Sequence, residues 1–529
     1  MGYVVAVYRR KKRLDGEENK MSIIISGFPG LGKDINIETP VLTPNGWKKA
    51  KDIKVGDYLI GQDGNPTEVL NVFPQGILDK YEIIFNDNTK TNCGIDHLWQ
   101  VSKTMNKKTK EPKWKVLSLK EILNDGIVRK YGNKIKSKWK IPLTKPVNFK
   151  EQKHIIDPYI LGALIGDGYI CGHEVEFIED INNNFISEKI KTLVSNEINF
   201  SDCTTRNQTC KHFKFLKNAK QNIYKHEILR MGLNVKSGEK FIPKEYLFDS
   251  IDNRIKLLHG LMDTDGTSQV GNRINFCTTS KRLVNNIIEL IQSLGGMAWY
   301  HTYDRRGRMK KYKSKDYITK SIDYVVTVCL NDICPFSLPR KAKNWRPTKF
   351  NKYIVDVKKI NPAESVCFTV DNKEGLFLLE NYIVTHNTSI YKENKVNYSD
   401  SDSSKFSKKN FPENYIKHIK KVMNEKHLVF VSSHIAVREA LVKEKIPFIY
   451  VIPTIDRLEE FCYNYKQRGS SEEFINNIRD NWERWLMISA YNKDYPVYAC
   501  KYGYLKDNLE GIIKEYCRFY KIGNIEWRV

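Results

Sequence analysis

The sequence predicts a multidomain chain in which a mainly-β segment is interrupted by an α/β segment, the two together splitting a third, α/β domain into unequal pieces. Three observations predict this. The 529 residues are too many for one core and suggest about three domains of ~150 residues each. A glycine-rich turn after a short apolar run breaks off at Lys33, and residues able to complete it stand at Thr388 and Ser389. A run of small and apolar residues closed by an acid and a glycine occurs twice, at 160–168 and 258–266.

Composition narrows the function classes. Hydrophobic content of 41% and aromatic content of 12% are globular values, and no apolar run reaches the ~18 residues of a membrane span, so no membrane partner is expected. The amino terminus MGYVVAVYRRKKRL sets apolar before basic residues, the reverse of a secretory signal, and a cytoplasmic location is the expectation. The 11 cysteines lack a CxxC pair or zinc spacing and indicate neither a disulfide framework nor a metal cluster. A formal charge of +25 points to a polyanion, nucleic acid first; a solvated basic surface is the plainer alternative.

The first element is the run Ser22-Ile23-Ile24-Ile25-Ser26, suited to a buried strand, followed by Gly27-Phe28-Pro29-Gly30-Leu31-Gly32-Lys33. A P-loop, GxxxxGK[ST], needs glycines so that backbone N–H groups wrap a phosphate, a lysine for the outer phosphates and a hydroxyl for magnesium. Asp34 sets a carboxylate where the hydroxyl belongs, and no helix signal follows it. Joining Lys33 to Thr388 regenerates GFPGLGKTS, with Gly27, Gly30, Gly32, Lys33, Thr388 and Ser389 as the ATP and magnesium contacts. The plainer reading is a Gly-Pro turn that holds no phosphate.

The interrupting segment, 34–387, resembles an intein. Four stretches carry the likeness: TPVLTPNGWKKAKDIKVGDYLIG (39–61), a strand, turn and strand run; Cys93-Gly94-Ile95-Asp96-His97-Leu98-Trp99; Val366-Cys367-Phe368-Thr369-Val370; and Tyr382-Ile383-Val384-Thr385-His386-Asn387 before Thr388. The resemblance implies the Hint splicing fold, which needs no cofactor. Most inteins open with Cys or Ser; Asp34 has neither thiol nor hydroxyl and cannot make the first acyl shift, so an external nucleophile is required. Trp99, Cys367 and Thr385 match the class 3 inteins, and that likeness implies attack of Cys367 on the Lys33 carbonyl. It further implies His97 as proton donor to the Asp34 nitrogen, Thr388 as second nucleophile, and Asn387, assisted by His386, as the residue that cyclises. The threonine usual three residues before the block histidine is Gly94 here.

Inside the insert, Ile160-Leu161-Gly162-Ala163-Leu164-Ile165-Gly166-Asp167-Gly168 and Leu258-His259-Gly260-Leu261-Met262-Asp263-Thr264-Asp265-Gly266 resemble the paired motifs of LAGLIDADG homing endonucleases. Small residues at helical spacing let two helices touch backbone to backbone, and each helix ends in an acid, with the glycine expected as a left-handed cap. Asp167 and Asp265 then lie side by side and suit magnesium. The likeness implies a monomeric pseudo-two-fold enzyme for double-stranded DNA, with Lys240 as supporting lysine and Lys244 its rival. Arg305-Arg306-Gly307-Arg308-Met309-Lys310-Lys311-Tyr312-Lys313 reads as a phosphate-gripping loop or, equally, a solvated basic turn.

Downstream of Thr388, strand and helix signals alternate: a strand over 395–398, a helix over 413–425, a strand over 427–431, a helix over 436–444, a strand over 447–452, and later helices with a capping box at Ser470 to Glu473. Alternation implies a parallel sheet. This part resembles small phage-type nucleotide kinases, with Asp400 and Asp402 for metal or substrate, Arg457 and Arg468 for phosphates, and a nucleotide acceptor as partner; Ser432-Ser433 stands where such kinases hold a metal-binding Asp. The expected division is 1–33 and 388–529 for the split P-loop domain, 34–150 and 346–387 for the splicing domain, and 151–345 for the endonuclease. The competing reading is a continuous P-loop ATPase or DNA-processing enzyme with a non-splicing insertion.

Overall fold

The computed structural model describes residues 3–9, 21–23, 34–104, 111–132, 134–205, 208–217, 222–312, 315–372, 374–386, 398–400, 406–425, 428–431, 434–459, 461–462, 472–490, 493–501 and 508–521. The chain is multidomain and rich in sheet.

The two ends of the insert fold together. A six-stranded sheet runs in the order Lys140–Ile141, Lys352–Val370, Ile35–Asn36, Lys90–Cys93, Pro66–Phe85, Tyr58–Ile60. A four-stranded sheet runs Ile383–His386, Leu376–Leu379, Pro40–Thr43, Gly46–Lys49. The spine is the antiparallel pairing of Pro66–Phe85 with Lys352–Val370, whose register slips at four places, the last two flanking the segment Val366 to Thr369. Such slips are bulges, and they raise local twist and re-aim side chains. The expected strand and turn run over 39–61 is the hairpin Pro40–Thr43 and Gly46–Lys49. Gly46 at its tip has φ +101°, a backbone that a side chain would strain. Ile35, Val41, Ile83, Phe85, Trp99, Phe368, Phe377 and Ile383 form the core between the sheets.

Between these ends lie two similar halves. The first has a four-stranded antiparallel sheet ordered Gly168–Tyr169, Val175–Asp180, Cys210–Lys217, Ile198–Asp202; the second repeats the order with Gly266–Gln269, Arg273–Thr278, Ile322–Cys329, Met297–Asp304. A helix leads into each sheet. Pro158–Asp167 starts at N-cap Asp157, whose carboxylate accepts from Tyr159 N, with Pro158 at the first helical position. Ile251–Thr264 starts at Ser250, which accepts from Asn253 N. These caps satisfy the free amides of a helix start. The helices cross with their backbones touching: a Cβ on Gly162 would lie 2.3 Å from Leu257 O, and one on Gly260 2.1 Å from Tyr159 O. A single apolar core spans both halves.

The glycine-cap expectation is corrected. Gly168 follows its helix with φ −88° and ψ 143°, an extended backbone, and the second helix closes on Asp265 in the right-handed region. These glycines serve space instead: a Cβ on Gly168 would meet Leu164 O at 2.4 Å, and one on Gly266 would meet Met262 O at 2.4 Å.

The remaining six-stranded sheet has the order Tyr398–Asp400, Leu428–Val431, Met21–Ile23, Tyr3–Arg9, Phe448–Pro453, Val497–Cys500. Tyr398–Asp400 and Met21–Ile23 both run parallel to Leu428–Val431, and Phe448–Pro453 runs parallel to Val497–Cys500. The all-parallel expectation fails at Tyr3–Arg9, which pairs antiparallel with three neighbours. Its apolar run YVVAVY is itself a strand, and an apolar run fits an interior position of a sheet. Helices Glu413–Glu425, Ile435–Lys443 and Glu472–Ala490 pack on this sheet through Tyr415, Ile419, Val437, Leu441 and Trp482. No described helix is long and apolar enough to cross a membrane.

Candidate functional site

The first centre forms at the start of the insert. Asp34 is 1% exposed and its carboxylate pairs with the ammonium of Lys80, which is fully buried. Ser365 pairs with Asn36 and Val366 with Ile35. Asp34 and Cys367 are the next residues along the two strands beyond this paired stretch. On the far side of the same short strand, Ile35 pairs with Cys93. From there a tight turn carries His97, whose amide donates to Gly94 O at 3.2 Å. His97 Nε2 and Thr385 Oγ1 share a 2.6 Å hydrogen bond in a fully buried setting. The Trp99 indole, 0% exposed, stands edge-on to His97 with ring centroids 5.4 Å apart. His386, 5% exposed, follows Thr385 at the end of the strand Ile383–His386.

Asp34, His97, Trp99, Cys367, Thr385 and His386 are therefore all buried in one neighbourhood. Burial, reinforced by the Asp34 charge, pushes the Cys93 thiol up to about 12. A thiol raised this far stays protonated at neutral pH.

The second centre lies at the ends of the crossed helices. Burial raises the Asp167 carboxyl above the usual carboxylate range, against the pull of Lys341 and Lys240. Asp265 is raised to about 7 by burial and then by the charge of Asp167. A buried acid raised further by a neighbouring carboxylate is a setting whose charge a hard divalent cation would offset. Lys240 Nζ donates to the carbonyls of Leu164, Ile165, Gly166 and Gly168 at 2.8–3.2 Å. Burial lowers it to about 8, while both acids pull it back up. Its rival Lys244 is exposed at the start of a short helix.

Lys341 was missed. Its Nζ donates to Met262 O, Asp263 O and Thr264 O at 2.7–3.0 Å, and burial lowers it too to about 8. It does for the second helix what Lys240 does for the first. A signal existed: Lys240 follows Asp167 by 73 residues and Lys341 follows Asp265 by 76. The other motif acid, Asp263, is taken up by structure, accepting from Ser337 N, Leu338 N and the Tyr159 hydroxyl at 2.9–3.0 Å. A cleft of about 1240 Å³, lined by Tyr169, Lys236, Arg306, Lys320 and Tyr324 among others, spans the two halves. In the basic stretch, Arg305 pairs with Asp323 and Arg306 with Asp304, so two of its cations carry acidic partners.

Gly27, Gly30, Gly32, Lys33, Asn387, Thr388 and Ser389 lie outside the described residues, as do Asp402, Ser432, Ser433, Arg468 and Ser470. Asp400 ends a strand. Arg457 is buried, donating to Cys500 O at 3.4 Å with its guanidinium 5.5 Å from the Phe461 ring centre. Among the described residues no group of three or more metal-ligating side chains gathers.

No protein-family model matches the chain. It is 27% identical over 391 residues to a replicative DNA helicase DnaB of Mycobacterium intracellulare, covering 70% of this chain and 61% of that protein. The chain thus spans less than two thirds of that relative's length. The segments outside 34–387 make up only a third of the chain, so a match of this extent runs through more than half of the insert. Among solved structures, the Msm DnaB1 intein splicing domain bound with zinc is 34% identical, covering 13% of this chain and 54% of that one at TM-score 0.12. The homing endonuclease I-DmoI in complex with DNA and calcium is 16% identical, covering 36% of this chain and 95% of that one at TM-score 0.23. The chain is similar, then, to an intein splicing domain, a homing endonuclease and a DnaB helicase.

Proposed function

We propose that the chain is a self-processing precursor: segment 34–387 excises itself, joins Lys33 to Thr388, and carries a site-specific DNA endonuclease. The observation that carries this reading is the pairing of Val366 with Ile35, the residues next to Cys367 and Asp34, while His97, bonded to Thr385, lies one turn from Gly94. The Cys367 thiolate forms a bond to the Lys33 carbonyl carbon, the Lys33–Asp34 bond breaks, and His97 protonates the departing nitrogen, since an amide nitrogen leaves poorly unprotonated. The Thr388 hydroxyl then displaces the Cys367 thiolate from the thioester. Asn387 attacks its own carbonyl through its side-chain nitrogen, assisted by His386, and releases the insert. The ester shifts to nitrogen and leaves an ordinary Lys33–Thr388 peptide bond. Mass spectrometry of the expressed chain tests this: a 354-residue insert and a joined 175-residue product are expected. Intact chain alone, unaltered by Cys367→Ala, defeats it.

The endonuclease reading rests on the two acids at the ends of backbone-packed helices. Asp167 and Asp265 would hold magnesium, which when bound supplies water activation and charge neutralisation at the scissile phosphates. Lys240 and Lys341 fix the carbonyls around the acids, and the basic, aromatic cleft suits double-stranded DNA. Cleavage of an uninterrupted copy of the host gene is expected to vanish in Asp167→Asn or Asp265→Asn; cutting that persists in both removes the assignment.

For the joined product we propose an ATP-binding P-loop protein of the nucleotide-kinase kind, supported by the sheet in which Leu428–Val431 is flanked on both sides by parallel strands, Tyr398–Asp400 and Met21–Ile23. The likeness to a DnaB protein favours a second reading, a helicase-type ATPase. Incubation with ATP and a panel of nucleotides separates them: phosphate transfer supports the kinase, and hydrolysis stimulated by DNA without an acceptor supports the motor.

A further inference from the structure

Two residues at the first junction take no part in the steps above. Lys80, in the long strand Pro66–Phe85, is fully buried with its ammonium on the Asp34 carboxylate. A buried ammonium needs an opposite charge at one fixed place, so the pair holds Asp34 by its side chain. Gly94 supplies the space. A Cβ there would come within 2.1 Å of Asp34 Oδ1 and 2.9 Å of its Cγ. Its backbone has no left-handed φ to explain a glycine, and its amide points at Asp34 O at 3.5 Å. The main chain beyond Asp34 is meanwhile gripped on both sides, Ile35 pairing with Cys93 and Val366.

We propose that Asp34, Lys80 and Gly94 form a positioning lock that holds the Lys33–Asp34 junction against Cys367 and makes aspartate the required first residue of the insert. The carboxylate fills the slot that a side chain at position 94 would occupy, and Lys80 fixes its depth. An insert of this design therefore gives up a side-chain donor at position 94 and gains a tethered junction. Lys80 is a positioning residue: it acts through Asp34 and touches neither reacting atom. The proposal rests on the reading of 34–387 as a splicing element with Cys367 as nucleophile.

The test uses the full chain and scores two cleavages separately: hydroxylamine-released Lys33, which reports the thioester, and release after Asn387. Lys80→Met and Asp34→Leu are each expected to slow the first at least tenfold and to leave the second within twofold. The double variant removes both charges, so no lone buried charge remains to weaken the fold. It is expected to melt near the wild type yet still to release Lys33 at least tenfold more slowly. A purely structural pair would instead recover the wild-type rate in the double variant, and that result overturns the lock. Gly94→Ala is expected to slow Lys33 release with Asp34 present and to change it less than twofold in an Asp34→Ala background; a silent Gly94→Ala in the parent chain also overturns it. If Cys367→Ala leaves Lys33 release unchanged, the splicing reading itself fails. If Cys367 is required while the Lys80 variants behave as wild type, only the lock fails.

Discussion

His97 and Thr385 stand 288 residues apart and meet at 2.6 Å, so the ring that is to move a proton has its orientation set from the far end of the insert. Thr385→Ala removes that buried hydrogen bond, a loss of about 1–3 kcal/mol where it falls on the transition state. The expected outcome is a ~10–100-fold slower Lys33 release that Thr385→Ser largely restores, read by timed gels. At the other centre the acid pair predicts a pH effect on stability. Asp265 is raised to about 7 from an unfolded value near ~3.9. Below ~4 both states hold the proton; between ~4 and ~7 only the unfolded chain releases it, so metal-free stability falls across that window, by on the order of 4 kcal/mol. Melting of the endonuclease part without metal is therefore expected at lower temperature at pH 8 than at pH 5, with added magnesium reversing the trend. A metal-free profile flat across that range removes the argument from the buried Asp265. Asp167 and Asp265 are named by the repeated motif, and Lys240 only by the family likeness, as one of two candidates with Lys244. Lys80 is not legible, since its role is decided by a carboxylate 46 residues away, and Lys341 shows only when the two halves are set side by side.

The two motif helices show how far local pattern reaches. Gly162 and Gly260 were legible as contact points because small residues at helical spacing let axes approach. The backbone at Gly168 and Gly266 was not, since whether a glycine serves φ or space depends on the turn that follows it. Gly260→Val would drive a branched side chain into Tyr159 O and Ala163 N, where even a Cβ has only 2.1 and 2.7 Å. Overpacking of this kind costs about 1–3 kcal/mol or more. DNA cleavage is expected to fall at least tenfold in the Gly260→Val chain with a lowered melting transition, while splicing, whose residues lie on other strands, continues. Cleavage at the wild-type rate would mean that the helices do not meet backbone to backbone. The strand Tyr3–Arg9 is hidden in the sequence for a related reason: its apolar run stands where a targeting signal would, and nothing local says that such a run pairs antiparallel between Met21–Ile23 and Phe448–Pro453.

At the scale of the whole molecule, the motifs lead one to expect a divided insert, but the way its parts are joined is not legible in them. Lys140 pairs with Tyr353 and Ile141 with Lys352, so the chain leaves the two sheets and returns to them at adjacent points. Lys140 Nζ reaches Asn351 Oδ1 at 3.0 Å, and Tyr353 N donates to Asn86 Oδ1 at 2.8 Å, which ties the return strand down on its own side. Everything from Pro142 to Asn351 is thus removable in principle, with a two-residue turn of the Asn-Gly kind closing Ile141 to Lys352. Contacts across the boundary oppose this. Trp47 Nε1 donates to Glu289 at 2.7 Å. Leu42, Ile60, Leu376, Leu378 and Val384 share an apolar cluster with Phe149 and Phe248. Deletion uncovers that face, and Val384 is the neighbour of Thr385 on the strand that carries the splicing residues. The shortened chain is therefore expected to splice, with Lys33 release within about tenfold of the parent at ~20 °C, but to lose activity several degrees earlier on heating. Leu378→Thr, placed on the uncovered face, is expected to recover part of that loss by lowering exposed apolar area. A folded, soluble deletion variant that releases neither junction would show instead that the endonuclease part holds the splicing centre together.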